Sequence, residues 1–313
     1  MKVFNDFDEI IKVPNAVLTI GTFDGVHIGH QKIIKQINEL ATKKDGESIL
    51  FTFFPHPRMV IFPDNHGLKL IQTQDEKLRK LERMGLENVV VYPFTKEFSR
   101  LTGTQFVRDF LVNKLGVKTI VIGYDHQFGR NREGTLELLH ELAPIYDFEV
   151  VEIEAQDIDD VNVSSTKIRT AIQEGDVKTA HLYLGEPFEL NGKVVRGQQI
   201  GRKIGFPTAN IEIGDSLKLL PKNGVYAVKC QLENSNDKIW GMLNIGCRPT
   251  VASKDEISIE VHLFDFEEDL YGQIIFVEFL DHVRDEVKFT DLEALKEQLK
   301  VDEKHVRHCI KSL

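Results

Sequence analysis

Two histidines stand three positions apart in the segment Gly21-Thr22-Phe23-Asp24-Gly25-Val26-His27-Ile28-Gly29-His30, where a short apolar run gives way to a helical pattern. At that spacing both rings share one face of a first helical turn and can donate hydrogen bonds to phosphate oxygens. The glycines let the backbone approach an anion, and the helix start directs N–H groups and the positive end of its dipole toward it. A zinc pair would use the same side chains, but it lacks a third ligand and the HExxH glutamate. A second element, Ser164-Ser165-Thr166-Lys167-Ile168-Arg169, opens a later helix. Taken alone it is an N-cap followed by two solvated cations. Beside the histidine turn it gains meaning, because hydroxyls and a guanidinium at a helix start suit a polyphosphate that accumulates charge as pyrophosphate leaves.

In the second half, glycines and cations crowd the stretch from Gly192 to Asn210, which contains no GxxxxGK[ST] and so no Walker A loop. Thr208 and Asn210 are two apart in an extended segment, so their oxygens face the same way and can hold one hard cation. Both donors are neutral. A Mg²⁺ between them needs phosphate oxygens to complete its shell. In Ile257-Ser258-Ile259-Glu260-Val261-His262-Leu263 the odd positions are apolar, which leaves Glu260 and His262 on the opposite face.

The elements that must position these residues follow two patterns. Buried strand-like runs at Val17–Ile20 and at 48–53, 89–92, 119–122 and 148–153 alternate with amphipathic helices, as in a parallel sheet covered on both faces. Ile33, Ile34, Ile37, Leu40 and Ala41 carry one such helix, and Phe106, Phe110 and Leu111 another. A helix over 166–174 stops at Gly175, and a further one ends at Leu184 before Gly185-Glu186-Pro187. Beyond that break the runs 225–228, 240–244, 257–264 and 274–279 alternate between apolar and polar, the pattern of an antiparallel barrel. Thr290-Asp291-Leu292-Glu293 reads as a capping box, with Leu292, Leu295 and Leu299 on one face of a closing helix. The expected architecture is an α/β nucleotide-binding domain over 1–184, with a Rossmann-like parallel sheet, followed by a mainly antiparallel β-barrel domain with C-terminal helices over 185–313.

Composition bounds what these sites can serve. A chain of 313 residues divides naturally into about two domains. With 39 Lys and Arg against 49 Asp and Glu, it lacks the basic surface on which nucleic-acid affinity depends, so any phosphorylated ligand must be held locally. No apolar run is long enough to span a membrane, and the acidic N-terminal segment is unlike an export signal, so a cytoplasmic protein is expected. Cys230, Cys247 and Cys309 show no CxxC spacing, which argues for reduced structural thiols and against a zinc site.

The histidine turn together with the SSTxIR helix resembles the nucleotidylyltransferase superfamily. Thr52-Phe53-Phe54-Pro55-His56-Pro57-Arg58 and Gly123-Tyr124-Asp125-His126-Gln127-Phe128-Gly129 are similar to segments of its bacterial FAD synthetase branch. That resemblance implies an ATP site on Gly21, Phe23, Gly25, His27, His30, Asp125, Ser164, Ser165, Thr166 and Arg169, with His27, His30 and Arg169 catalytic. It also implies a flavin site on Asp24, Phe54, Pro55, His56, Pro57 and Phe128. Of the aromatic residues Phe53, Phe54 and Phe128, core packing is expected for at least one. Many relatives carry an aromatic where this chain has His126.

Gly201-Arg202-Lys203-Ile204-Gly205-Phe206-Pro207-Thr208-Ala209-Asn210 resembles the GRxxGxPTAN signature of riboflavin kinases, and Asn244-Ile245-Gly246-Cys247-Arg248-Pro249-Thr250 matches a second segment of that family. The resemblance implies ATP at Gly192, Val195, Gly197, Gly201, Lys203, Gly205, Thr208 and Asn210, with Mg²⁺ on the last two. It makes Glu260 the general base and puts Glu260 and Arg284 at the flavin. Both halves occur in the order of the bacterial bifunctional riboflavin kinase/FMN adenylyltransferases, whose substrates and products are ATP, riboflavin, FMN and FAD. An adenylyltransferase for another precursor with an inactive barrel is the rival enzyme, and Thr208, Asn210 and Glu260 count against it. A flavin-storage protein is the rival binder, separated by whether ADP forms from riboflavin and ATP.

Overall fold

The computed structural model describes every residue except 7, 8, 11, 65, 66, 124, 125, 154–162, 198, 249–255, 312 and 313. The chain divides by contacts into two compact units, Met1–Ser165 and Thr166–Leu313.

The first unit is built on strands β1 (Lys2–Phe4), β2 (Val17–Ile20), β3 (Ser48–Phe54), β4 (Asn88–Pro93), β5 (Thr119–Gly123) and β6 (Glu149–Ile153). They form one parallel sheet in the order β1-β4-β3-β2-β5-β6. Successive side chains leave opposite faces of each strand, so each face supplies half of a double core. Leu18, Ile20, Ile49, Phe51 and Ile120 pack with Phe106, Leu111 and Leu139 on one side. Val17, Leu50, Val89 and Val121 pack with Ile34, Ile37, Ala41 and Leu81 on the other. The helices that supply these residues are α1 (Ile28–Lys43), α3 (Gln74–Arg83) and α5 (Leu136–Tyr146), with a short α2 (Pro57–Ile61) between β3 and α3. Gly103–Gln105 begins α4, which continues as π-helical turns over Phe106–Lys114.

From β2 the chain crosses to β3 on one side, whereas β5, its neighbour on the other side, is reached only later. The sheet order therefore reverses between β2 and β5. Ligands of open α/β sheets bind at the carboxyl ends of strands beside such a reversal. The Gly21 turn leaves β2 at that point.

In the second unit, α6 (Ser165–Glu174), which lies in this unit from Thr166 on, and α7 (Val177–Leu184) precede a closed antiparallel barrel of β7 (Phe188–Val195), β8 (Ala209–Glu212), β9 (Gly224–Leu232), β10 (Lys238–Arg248), β11 (Glu256–Leu263) and β12 (Ile274–Asp285). Around the barrel the order is β10-β11-β8-β7-β12-β9. Helix α7 buries Val177, Ala180 and Leu184. Its Lys178 Nζ donates to Asp281 Oδ2 at 2.7 Å, and Lys222 N donates to Ile172 O of α6 at 3.2 Å. Both helices therefore group with the barrel. A four-residue helix, α8 (Ile200–Lys203), lies between β7 and β8, and α9 (Leu292–Ile310) closes the chain.

The cap of α9 is Asp291, whose Oδ1 accepts from Ala294 N at 2.8 Å, and Thr290 donates to its other oxygen. The expected Thr290 cap gives way to a carboxylate because a charged acceptor holds an N-terminal amide more strongly than a hydroxyl. Leu295 and Leu299 pack on the barrel cluster, whereas Leu292 is half exposed. Among the described residues no helix is long and apolar enough to cross a membrane.

Candidate active sites

The turn after β2 is tightly determined. Gly21 N donates to Phe51 O at 3.0 Å, and Gly25 has φ +88, a conformation that glycine adopts freely. Phe23 and the β-branched Val26 adopt φ +50 and +37, where such side chains are strained. Both are buried, so the core holds them there. Strain of this kind concentrates at functional turns. His27 caps α1, its Nδ1 accepting from His30 N at 3.3 Å. The His27 proton therefore sits on Nε2, which leaves that nitrogen as a donor. The two rings stack at 3.6 Å, and Phe23 stacks on His30 at 4.4 Å. Gly29 lies under the His27 ring, with a built Cβ coming within 3.3 Å of it.

Burial, then the charge of Lys80, pushes the His27 pKa down to about 4. Burial, reinforced by His27, Lys80, Lys77 and His126, holds His30 well below the ordinary histidine value. The pair is neutral at physiological pH, and the positive charge of this site resides on lysines instead. Lys77 and Lys80 of α3 are both buried. Lys77 Nζ donates to Thr22 O at 3.3 Å and Thr52 Oγ1 at 3.2 Å, at the ends of β2 and β3. Burial brings its pKa down to about 8 against the opposing pull of Asp24.

Asp24 is buried and accepts from Ile71 N at 3.0 Å, fixing the loop before α3, while its carbonyl accepts from Ser165 Oγ at 2.9 Å. That places Asp24 among structural partners at the turn. His56 caps α2, accepting from Arg58 N at 3.2 Å, with Pro57 in the first helical turn and Pro55 just ahead of the cap. Phe54 is 39% exposed and presents a free aromatic surface, whereas Phe53 packs against Phe51, Phe94 and Phe98. Phe128 is core: it is 8% exposed, lies 5.8 Å from Phe106, and has Gly134 against its ring. Asp125 lies outside the described residues. Ser164 and Ser165 belong to the first unit, and Thr166 and Arg169 to the second.

In the barrel, β11 runs between β8 and β10, so Glu260 is paired across to Asn210 on one side and Asn244 on the other. Thr208 Oγ1 donates to Glu260 Oε2 at 3.1 Å. Val195 is the partner of Asn210 on β7. Gly197 lies so close that a Cβ there would come within 2.2 Å of the Asn210 amide, and one at Gly201 would meet Phe206 O at 2.1 Å. Gly192 admits the β8 backbone in the same way, with Glu212 O 2.5 Å from a built Cβ. Gly205 turns at φ +87, just after Lys203 ends α8. The fold thus brings a hydroxyl and an amide, neutral donors that fit a hard divalent cation carrying phosphate oxygens, beside the Glu260 carboxylate.

His262, on the Glu260 face, is held by a 2.7 Å contact between Nδ1 and Pro207 O and steadies the segment that bears Thr208. Arg284 donates from Nε and Nη2 to the buried carboxylate of Asp302, at 2.8–3.0 Å, which ties β12 to α9.

The sequence matches the FAD synthetase family over residues 10–167 and the riboflavin kinase family over 184–310. It is 37% identical to the bifunctional riboflavin kinase/FMN adenylyltransferase of Listeria monocytogenes, covering 94% of this chain and 92% of that one. The Escherichia coli K12 protein of the same name is 36% identical, with 97% and 96% covered. The chain belongs to the bifunctional riboflavin kinase/FMN adenylyltransferase family. A solved structure from Streptococcus pneumoniae, described as a macrolide-efflux protein, superposes with a TM-score of 0.87 at 33% identity, covering 97% of this chain and 98% of that one. It shares the fold of this family member over both units.

In this family member, the residues that sequence reasoning missed are Lys77 and Lys80. In Gln74-Asp75-Glu76-Lys77-Leu78-Arg79-Lys80-Leu81 they have the look of a solvated helix face. The available signal was the capping box from Thr73 to Glu76, which fixes where α3 begins, together with the three-residue spacing of the lysines.

Proposed function

We propose that the chain phosphorylates riboflavin to FMN in its barrel unit and adenylylates FMN to FAD in its α/β unit, with one ATP consumed at each step. The observation that carries this reading is the hydrogen bond from Thr208, just ahead of β8, to Glu260 of β11, which pairs with Asn210 of β8, in a chain whose other unit holds a buried histidine–lysine cluster at a strand terminus.

In the barrel, the Glu260 carboxylate accepts the proton of the ribityl hydroxyl as its oxygen bonds to the γ-phosphorus and the bond from that phosphorus to ADP breaks. Thr208 Oγ1 and Asn210 Oδ1 are the residues that would hold Mg²⁺, which when bound neutralises charge on the phosphates. Gly197 and Gly201 keep those two side chains in place, and the family resemblance assigns Lys203 to the same ATP. Arg284 acts on the flavin side by fixing the end of β12 through Asp302.

In the α/β unit, a phosphate oxygen of FMN attacks the α-phosphorus of ATP and the bond to the β-phosphate oxygen breaks, releasing pyrophosphate. The enzyme need donate no proton and form no covalent bond. His27 Nε2 and His30 serve as neutral donors, and Lys77 and Lys80 supply the charge that favours the departing pyrophosphate. Ser165, whose hydroxyl donates to Asp24 O, serves the same polyphosphate, and Phe54 offers an exposed ring to the flavin. We place the functional boundary at Leu184–Gly185 and the reactions in the cytoplasm, where the free thiols Cys230, Cys247 and Cys309 stay reduced.

The test is to incubate pure protein with riboflavin and Mg-ATP and to resolve the flavins and nucleotides. FMN with ADP, followed by FAD with pyrophosphate, is expected. Binding of riboflavin without ADP formation would overturn the reading.

A further inference from the structure

The last turns of α9 carry His305 and Cys309, four residues apart and so on one helix face. Asp281 of β12 meets them: one ligand atom from each of the three residues lies within 4.8 Å of the other two. Strand β12 is irregular on both sides of this position, its register against β9 shifting between Phe279 and Asp281 and again between His282 and Arg284. Irregularities of that kind re-aim side chains. The Asp281 side chain keeps 23% of its surface exposed, and it lines a cavity of about 240 Å³ with Glu174, Asp176, Lys178 and His282. Cys309 is half-buried, and His305 is exposed. A cation can therefore arrive from solvent.

We infer that Asp281, His305 and Cys309 form a binding site for a divalent transition cation of the Zn²⁺ class. A carboxylate oxygen, an imidazole nitrogen and a thiolate make a borderline-soft set, which favours Zn²⁺ over the oxygen-seeking Mg²⁺ that serves ATP. Tetrahedral ligation at the usual zinc distances puts donor atoms about 3.3–3.7 Å apart, so adjustments of roughly an ångström by side chains at the surface close the site. Binding forms one bond to each residue and releases the Cys309 thiol proton to solvent. Lys178 Nζ donates to Asp281 Oδ2 and keeps the carboxylate oriented, as outer partners of metal ligands do. Three protein ligands leave a fourth position for water. The site is separate from the cluster of Thr208, Asn210 and Glu260 at β8 and β11, and it joins the end of α9 to the barrel wall. It draws on elements distant in sequence, which is why cysteine spacing alone did not reveal it.

The experiment is titration of untagged, chelator-treated full-length protein with Co²⁺ and then Zn²⁺, in the presence of excess Mg²⁺. One equivalent of Co²⁺ should bind with a near-ultraviolet thiolate-to-metal absorption that Zn²⁺ displaces and Mg²⁺ does not. Cys309→Ser should abolish the band, and His305→Ala should weaken binding about tenfold or more. Cys247→Ser, which removes an exposed thiol elsewhere, should change neither. Zn²⁺ should raise the melting temperature of the parent and of Cys247→Ser but not of Cys309→Ser. Circular dichroism shows whether each variant is folded. Absence of the band in the folded parent, its survival in Cys309→Ser, or its loss in Cys247→Ser would overturn the site.

Discussion

Lys77 is buried, donates to two neutral oxygens, and has its pKa brought down to about 8, so its charge is costly to the fold until an anion shares the site. Between about pH 8 and the ordinary value of 10.5 the unfolded chain binds a proton that the folded chain has released, so this residue's contribution to stability rises with pH across that window. Lys77→Met should therefore melt no lower than the parent at pH 7, and its advantage should shrink from pH 8 upward, while FAD formation falls about a hundredfold. Thermal melts across pH, with flavin chromatography alongside, check both; a variant that keeps full FAD synthesis would remove Lys77 from the site. His27 gives the complementary pH signature. With its pKa near 4, FAD formation should pass through pH 6.5 without an acid limb, and above pH 8 it should decline as Lys77 discharges. The histidines were legible in the sequence because a strand, a glycine turn and a helix start frame them. The lysines were not, because residue type marks them for the surface, whereas the fold buries both and sets Lys77 against Thr22 and Thr52.

At the scale of elements, regular burial made the parallel sheet easy to read: β2 occupies the expected residues, and β3 to β6 differ from expectation by a residue or so at their ends. The three-residue β1 was missed, since it is too short to show a period and pairs only at the sheet edge. Strands β7 and β8 were legible only as extended chain around Thr208 and Asn210, without bounds, because the glycines at 192 and 197 break the apolar alternation although they permit close backbone and side-chain approach. Those glycines give the element-scale prediction. Gly197→Ala puts a methyl group where the Asn210 amide lies and forces a displacement costing about 1–3 kcal/mol, so riboflavin phosphorylation should drop roughly ten- to a hundredfold, with supplied FMN still converted to FAD. Steady-state kinetics of the two half-reactions decide it, and an unchanged kinase would show that Asn210 is not held from that side. The histidine turn has a corresponding device in the positive-φ Val26, which no periodicity could have disclosed.

For the whole molecule, each unit has its own core, and α6 and α7 pack with the barrel. Fragments 166–313 and 185–313 should both turn riboflavin into FMN and make no FAD, and the shorter should melt lower because it loses the α7 residues Val177, Ala180 and Leu184 from the packed unit. A fragment of either length that produced FAD would remove the assignment of the two steps to two units. The most direct test of that assignment uses two variants of the full chain, each supplied in turn with riboflavin and with FMN, together with Mg-ATP. Glu260→Gln keeps size and hydrogen bonding but loses basicity, so FMN production should fall about 10²–10⁴-fold while added FMN is still converted to FAD. His30→Ala should do the reverse, accumulating FMN from riboflavin while FAD formation falls about a hundredfold or more. Equal loss of both activities in either folded variant, or near-normal rates in both, would contradict the account.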